Sequence, residues 1–149
     1  MDATEYNQRT AVLDEAMSWL GTPYHHAAFV RGAGVDCAFF LICVFHAAKL
    51  IEWFDPRPYP PDWHLHRDAE RYLEQLMKHT RELGANEAPK PGDIVTVRIG
   101  RSFSHGAIIS KWPEVIHAVW NQSVMIDDLV SNKQFDGRPM RFFSMWGRA

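Results

Sequence analysis

The spacing of apolar residues changes character along this chain. From Thr4 to Leu20, Val12, Leu13, Ala16, Met17 and Leu20 recur three and four positions apart. This predicts a first helix, stopped by Gly21 and Pro23. From Cys37 to about Ile51 the sequence is apolar nearly all round, through Phe39 to Phe45. That predicts a central, buried second helix with Asp36 as its N-cap. Asp55-Pro56-Arg57-Pro58-Tyr59-Pro60-Pro61 then predicts a rigid surface loop, because proline fixes its own φ and restricts the residue before it. His64 to Leu83 carries Ala69, Tyr72, Leu73, Leu76 and Met77 at helical spacing, which predicts a third, more exposed helix ending before Gly84.

After Pro91-Gly92 the period shortens. Ile94-Val95-Thr96-Val97, Ala107-Ile108-Ile109, Val115-Ile116-His117-Ala118-Val119 and Val124-Met125-Ile126 are β-branched runs of strand length bounded by turn residues. Helices first and an antiparallel sheet second predict an α+β fold. At 149 residues, with no repeat or low-complexity stretch, residues 1–149 are expected to form a single domain.

Charge and composition narrow the classes of partner. The net charge of -2 is spread without long like-charge runs, so no nucleic acid partner is expected. Met1-Asp2-Ala3-Thr4-Glu5 opens no apolar signal region, and no apolar run approaches the roughly eighteen residues of a membrane span. The expectation is a chain that is cytoplasmic as synthesised. Cys37 and Cys43 lie six positions apart on the predicted second helix, a rise of about 9 Å, which is beyond disulfide reach. Both are expected to be free thiols. A zinc hydrolase drawing on His25, His26, His64, His66, His105 and His117 is disfavoured because no pair has the four-residue spacing of a metal-binding helix. Neither a metal nor another cofactor is expected.

Cys37 carries the candidate chemistry. It follows Asp36 where Gly32-Ala33-Gly34-Val35 gives way to the apolar helix. A helix start offers N–H groups and the positive end of the dipole, which favour thiolate over thiol. The competing reading of a cysteine beside Phe39, Phe40 and Leu41 is a small buried hydrophobe. A base is available if Trp112-Pro113-Glu114 turns the chain into a hairpin: His105 and His117, twelve residues apart, then become cross-strand neighbours. One ring takes the thiol proton and the other orients it. Trp53, Trp63, Trp112, Trp120 and Trp146 are read mainly as core, with a sugar-binding cleft as the alternative.

Taken in order, Gly21-Thr22-Pro23-Tyr24, Asp36-Cys37, Pro91-Gly92-Asp93-Ile94-Val95, Ser104-His105-Gly106-Ala107-Ile108-Ile109 and Ile116-His117-Ala118 resemble the motifs of NlpC-type cell-wall peptidases, papain-like cysteine enzymes of bacteria and phages. The resemblance implies N-terminal helices packed on an antiparallel sheet, with Cys37 as nucleophile, His105 as general base and His117 as orienting residue. It also implies Tyr24 near the oxyanion and Asp36 where the free amine of a stem peptide is recognised. The implied activity is hydrolysis of peptide bonds in peptidoglycan stem peptides through an acyl-enzyme. With no visible signal and no added wall-binding domain, the chain also resembles the small peptidases of phage tail modules, which act on the wall during DNA entry and would have phage tail proteins as partners. Alternatives are a degenerate peptidase fold serving as a structural tail component and a secreted amidase effector. The chain departs from the family pattern at Ala38 and Phe39, where serine and glycine are usual, and at His25-His26-Ala27-Ala28, where aromatic-glycine-glycine is frequent. Ala38 lacks a hydroxyl for substrate, and Phe39 is expected to narrow the cleft.

Overall fold

The computed structural model describes residues 1–55 and 74–147. Helix α1 (Ala3–Met17) begins where the Asp2 carboxylate accepts the Glu5 N–H at 2.8 Å, a side-chain N-cap. Its buried face holds Arg9, Val12 and Ala16; Met17 and Leu20, read as part of the same stripe, are exposed. A short hairpin follows, β1 (Phe29–Val30) against β2 (Gly34–Val35). Gly34 is needed there, because a Cβ would stand 2.8 Å from the Cβ of His25.

Helix α2 (Cys37–Ala47) is buried nearly all round, as its composition predicts. It stops short of Ile51. Lys49 adopts φ 63°, its N–H is donated to the His46 carbonyl, and the Leu50 N–H is donated to the Phe45 carbonyl. This pair of bonds around a left-handed residue is a Schellman ending, with lysine where glycine is usual. Nothing in the apolar pattern marks it.

The predicted third helix is corrected at its C-terminal end. Residues 74–77 are helical, but Thr80 closes a turn onto the Met77 carbonyl and Arg81–Glu82 form strand β3. The rest of that segment, with Trp63, His64 and His66 and the loop from Pro56 to Pro61, lies outside the described residues.

Strands β4 (Ile94–Ile99), β5 (Ser102–Lys111), β6 (Glu114–Ala118), β7 (Val124–Asp128) and β8 (Met140–Ser144) complete an antiparallel sheet of order β3-β8-β4-β5-β6-β7. Four of these strands correspond to the four predicted β-branched runs, with Val119 falling just past the end of β6. β8 was not predicted: Met140-Arg141-Phe142-Phe143-Ser144 has few β-branched residues, and it is a strand because it inserts between β3 and β4. Alternate residues feed two cores. Ile94, Ile108, Ile116 and Phe143 pack with α1 and α2 in one, whereas Val95, Val97, Ala107, Ile109 and Val115 meet Leu129 and Phe135 in the other. Among the described residues no helix is long and apolar enough to cross a membrane.

A buried charge pair joins α1 to the sheet. Arg9 donates to Asp93 Oδ1 at 2.9 Å and to the Pro91 carbonyl at 2.8 Å, reaches Glu5 at 3.1 Å, and lies 4.1 Å from the Trp146 ring centroid. The other Asp93 oxygen accepts the Lys90 N–H at 2.8 Å, so this one side chain holds both the Pro91-Gly92 turn and α1. Removing one member of a buried pair strands the other charge. Asp93→Ala is expected to lower unfolding stability by about 3 kcal/mol, at the lower end of the usual range because Glu5 still faces Arg9. Urea titration of Asp93→Ala, Arg9→Met and the double variant checks this, with the double variant recovering part of the loss.

Candidate active site

The start of α2 is held from two directions. Asp36 is fully buried; its Oδ1 accepts the Phe39 N–H at 2.9 Å and its Oδ2 accepts the Ala27 N–H at 2.7 Å. The first bond caps the helix and the second fixes the loop before β1. Cys37 is therefore the first helical residue, 2% exposed, at the positive end of the helix dipole. Tyr24 runs alongside: it bridges to Val35, its N–H is donated to the Gln122 carbonyl at 2.9 Å, and its ring stands 5.6 Å from that of Trp120. Pro23 bridges to Ser123, and the Val124 N–H is donated to the Thr22 carbonyl. Tyr24, Asp36 and Cys37 are thus brought together on a strip that extends the sheet beyond the β6–β7 turn.

Cys43 is a different thiol. It is half-buried farther along α2, and burial, with the Glu15 and Asp36 charges adding to it, pushes its pKa up to about 12. Neither cysteine takes part in a disulfide.

The two histidines meet on the sheet. The β5–β6 register pairs Ile108 with Ile116, which sets His105 and His117 diagonally rather than directly opposite. His105 Nε2 lies 2.9 Å from His117 Nδ1, and both rings are buried. Beneath them Phe135 stacks on His105 at 4.8 Å and 25° and tilts against His117 at 5.3 Å. Helix α2 packs across β5 and β6, the strands that carry this pair.

The row continues past the residues that sequence reasoning named. His117 Nε2 lies 2.8 Å from Asp127 Oδ2, and the same oxygen accepts from Asn132 Nδ2 at 2.7 Å. The hydrogen bond from His117 is the main reason the Asp127 carboxyl is held below its ordinary range; burial opposes it and Asn132 assists. The predicted strand stopped at Ile126 because an acid ends the β-branched run. The available signal was alternation: β7 pairs Met125 with His117 and Asp127 with Val115, so Asp127 shares the face of His117. Asn132 and Phe135 reach the site from a loop, which no period in the sequence reveals.

Ala38 and Phe39 belong to the interior. Both are fully buried, and the Phe39 ring stacks on Phe29 at 4.7 Å and on Trp53 at 6.2 Å. The expected narrowing by Phe39 is corrected accordingly: Phe29 and Trp53 lie over that ring. The tryptophans divide. Trp146 is core and Trp112 packs edge-on against Phe142, whereas Trp53 and Trp120 are 41% and 43% exposed. Among the described residues no group of three or more His, Cys, Asp and Glu side chains is arranged to hold a metal ion.

No family model matches the sequence, and no curated protein does. Solved structures do match in fold. The NlpC/p60 domain of the peptidoglycan hydrolase SagA superposes with a TM-score of 0.56 at 19% identity, covering 89% of this chain and 96% of that one. NlpC2 from Trichomonas vaginalis gives 0.64 at 18% identity, over 92% of this chain and 45% of that one. A Staphylococcus aureus protein described as similar to a lipoprotein of the NLP/P60 family gives 0.63 at 18%, over 95% and 42%. The chain spans less than half the length of the latter two. At these identities the likeness is one of architecture: a helical N-terminal part on an antiparallel sheet, folded as in NlpC/p60 domains.

Proposed function

We propose that this protein is a cysteine hydrolase that cleaves peptide bonds in the stem peptides of bacterial peptidoglycan. The observation that carries the reading is the hydrogen-bonded His105–His117 pair on strands crossed by a helix that opens with a cysteine. A peptidoglycan hydrolase, SagA, has a domain of the same fold. In this reading His105 takes the Cys37 thiol proton and the thiolate attacks the peptide carbonyl. The Cys37 backbone N–H and Tyr24 stabilise the oxyanion. His105 returns the proton to the leaving amine as the C–N bond breaks, leaving a thioester. It then takes a proton from water, whose oxygen attacks the thioester to release the acid and restore the thiol.

Recognition of a substrate amine by Asp36 belongs to the same reading. Its two oxygens accept the Phe39 and Ala27 N–H groups, which hold the carboxylate at the start of α2. Opening of the 25–28 loop would bring the buried group within reach of substrate.

Iodoacetamide separates the two thiols. At pH 8 a thiol with a pKa of about 12 is about one part in ten thousand thiolate, so Cys43 stays unmodified while Cys37 is alkylated. His105→Ala is expected to slow labelling of Cys37 by at least about tenfold. Labelling of Cys37 no faster than that of a free cysteine overturns the nucleophile.

Purified muropeptides test the substrate. The parent protein is expected to give two fragments that together equal the substrate plus one water by mass spectrometry. Cys37→Ala gives none, and His105→Ala loses about two to four orders of magnitude in rate. Absence of product across wall chemotypes overturns the hydrolase reading in favour of a structural role such as that of a phage-tail component.

A further inference from the structure

The end of the histidine row lies outside the Cys-His-His set, and its hydrogen bonds have a definite direction. Asn132 Oδ1 accepts the Gln134 N–H at 2.9 Å, which turns the Asn132 amide so that Nδ2 faces Asp127. Asp127 Oδ2 therefore receives one N–H from Asn132 and, as an ionised carboxylate, is acceptor-only toward His117 Nε2. His117 must carry its proton on Nε2. A neutral imidazole has one N–H, so His117 Nδ1 is an acceptor, and the atom 2.9 Å from it, His105 Nε2, must be the donor. His105 in its neutral form then has an unprotonated Nδ1.

We propose that Asp127, braced by Asn132, is a positioning residue that sets the tautomers of both histidines so that His105 offers Nδ1 as the base for Cys37. This rests on the reading of Cys37 as nucleophile and His105 as its base. With no acceptor oxygen in place of the Asp127 carboxylate, as in Asp127→Ala, His117 is free to place its proton on Nδ1 and donate it to His105 Nε2. His105 then holds its own proton on Nδ1 and cannot accept one there. When the thiol is deprotonated in the intact row, its proton goes to His105 Nδ1 and no other proton moves. The imidazolium keeps donating through Nε2 to His117, which keeps donating to the Asp127 carboxylate, until Nδ1 gives its proton to the leaving amine.

The turn beyond β7 is built to hold this arrangement. Asp128 Oδ1 accepts the Val130 and Ser131 N–H groups at 3.0 Å each, and the Asn132 N–H is donated to the Asp128 carbonyl at 3.0 Å. The same turn carries Phe135 onto His105. One loop thus steadies the row at the carboxylate and at the catalytic ring.

The tautomers can be read without substrate. Long-range 15N–1H correlation spectra of 15N-histidine-labelled Cys37→Ala, in which no thiolate holds His105 as imidazolium, are expected to show Nε2–H for both His105 and His117. Adding Asp127→Ala is expected to mix the tautomers, and Asp127→Ala in the Cys37 protein to slow iodoacetamide labelling by at least about tenfold, since a wrongly protonated histidine disables the base. Asp127→Asn keeps an acceptor oxygen and is expected to preserve the Nε2–H pattern. An Nδ1–H proton on His117 in the Cys37→Ala protein, or tautomers and labelling rate unmoved by Asp127→Ala, overturns the proposal. If Asp127→Ala fails to fold by circular dichroism, Asn132→Ala, which removes the brace together with its bond from the Gln134 N–H, must shift the same resonances or the proposal falls. Failure to cleave muropeptides with Asp127-dependent tautomers refutes the substrate and leaves this inference standing; cleavage with Asp127-independent tautomers does the reverse.

Discussion

The candidate site depends first on the carboxylate of Asp36. A buried acid is costly unless its oxygens are satisfied, and here two backbone N–H groups from different segments satisfy it. One belongs to the first turn of α2 and the other to the loop before β1. The chain can form neither separately without leaving that group partly unmet, so the helix start and the loop are fixed together. Cys37 gains a defined backbone position from this, at the end of a helix whose apolar residues anchor it in the main core.

The sheet supplies the second part of the site by geometry alone. Antiparallel pairing of β5 with β6 and of β6 with β7 places alternate residues on a common face, and diagonal neighbours on that face lie within reach of ring nitrogens and carboxylates. His105, His117 and Asp127 step across three strands in this way. Each ring is held at both nitrogen and face, by hydrogen bonds along the row and by Phe135 beneath it. A row fixed so closely loses little entropy when a proton arrives.

Arg9 and Asp93 do a comparable task for the fold. Their pairing gives the Pro91-Gly92-Asp93 motif a physical role: the aspartate closes the turn onto Lys90 and tethers α1 through Arg9. The motif stands well before the histidines in the chain, yet it sets where β4 begins, and β4 aligns β5 through the pairing of Val97 with His105.

By itself the sequence determined what depends on near neighbours and on period. The apolar run made α2 a buried helix, Asp36 read as its cap, β-branched runs marked four strands, and the spacing of His105 and His117 around a proline turn anticipated their meeting. Tertiary structure decided the rest. Arg81–Glu82 became a strand because β8 offered an edge, overriding the helical spacing before it, and β8 formed because its backbone pairs on both sides. Lys49 ended α2 through a left-handed turn that other residues could equally have avoided. Phe39 went beneath Phe29 and Trp53, a contact set by the hairpin and not by its neighbours in the chain. Asp127, Asn132 and Phe135 joined the histidines because register and a loop brought them there. Local spacing encodes which face a residue takes, whereas the partners met on that face are fixed only once distant strands have paired.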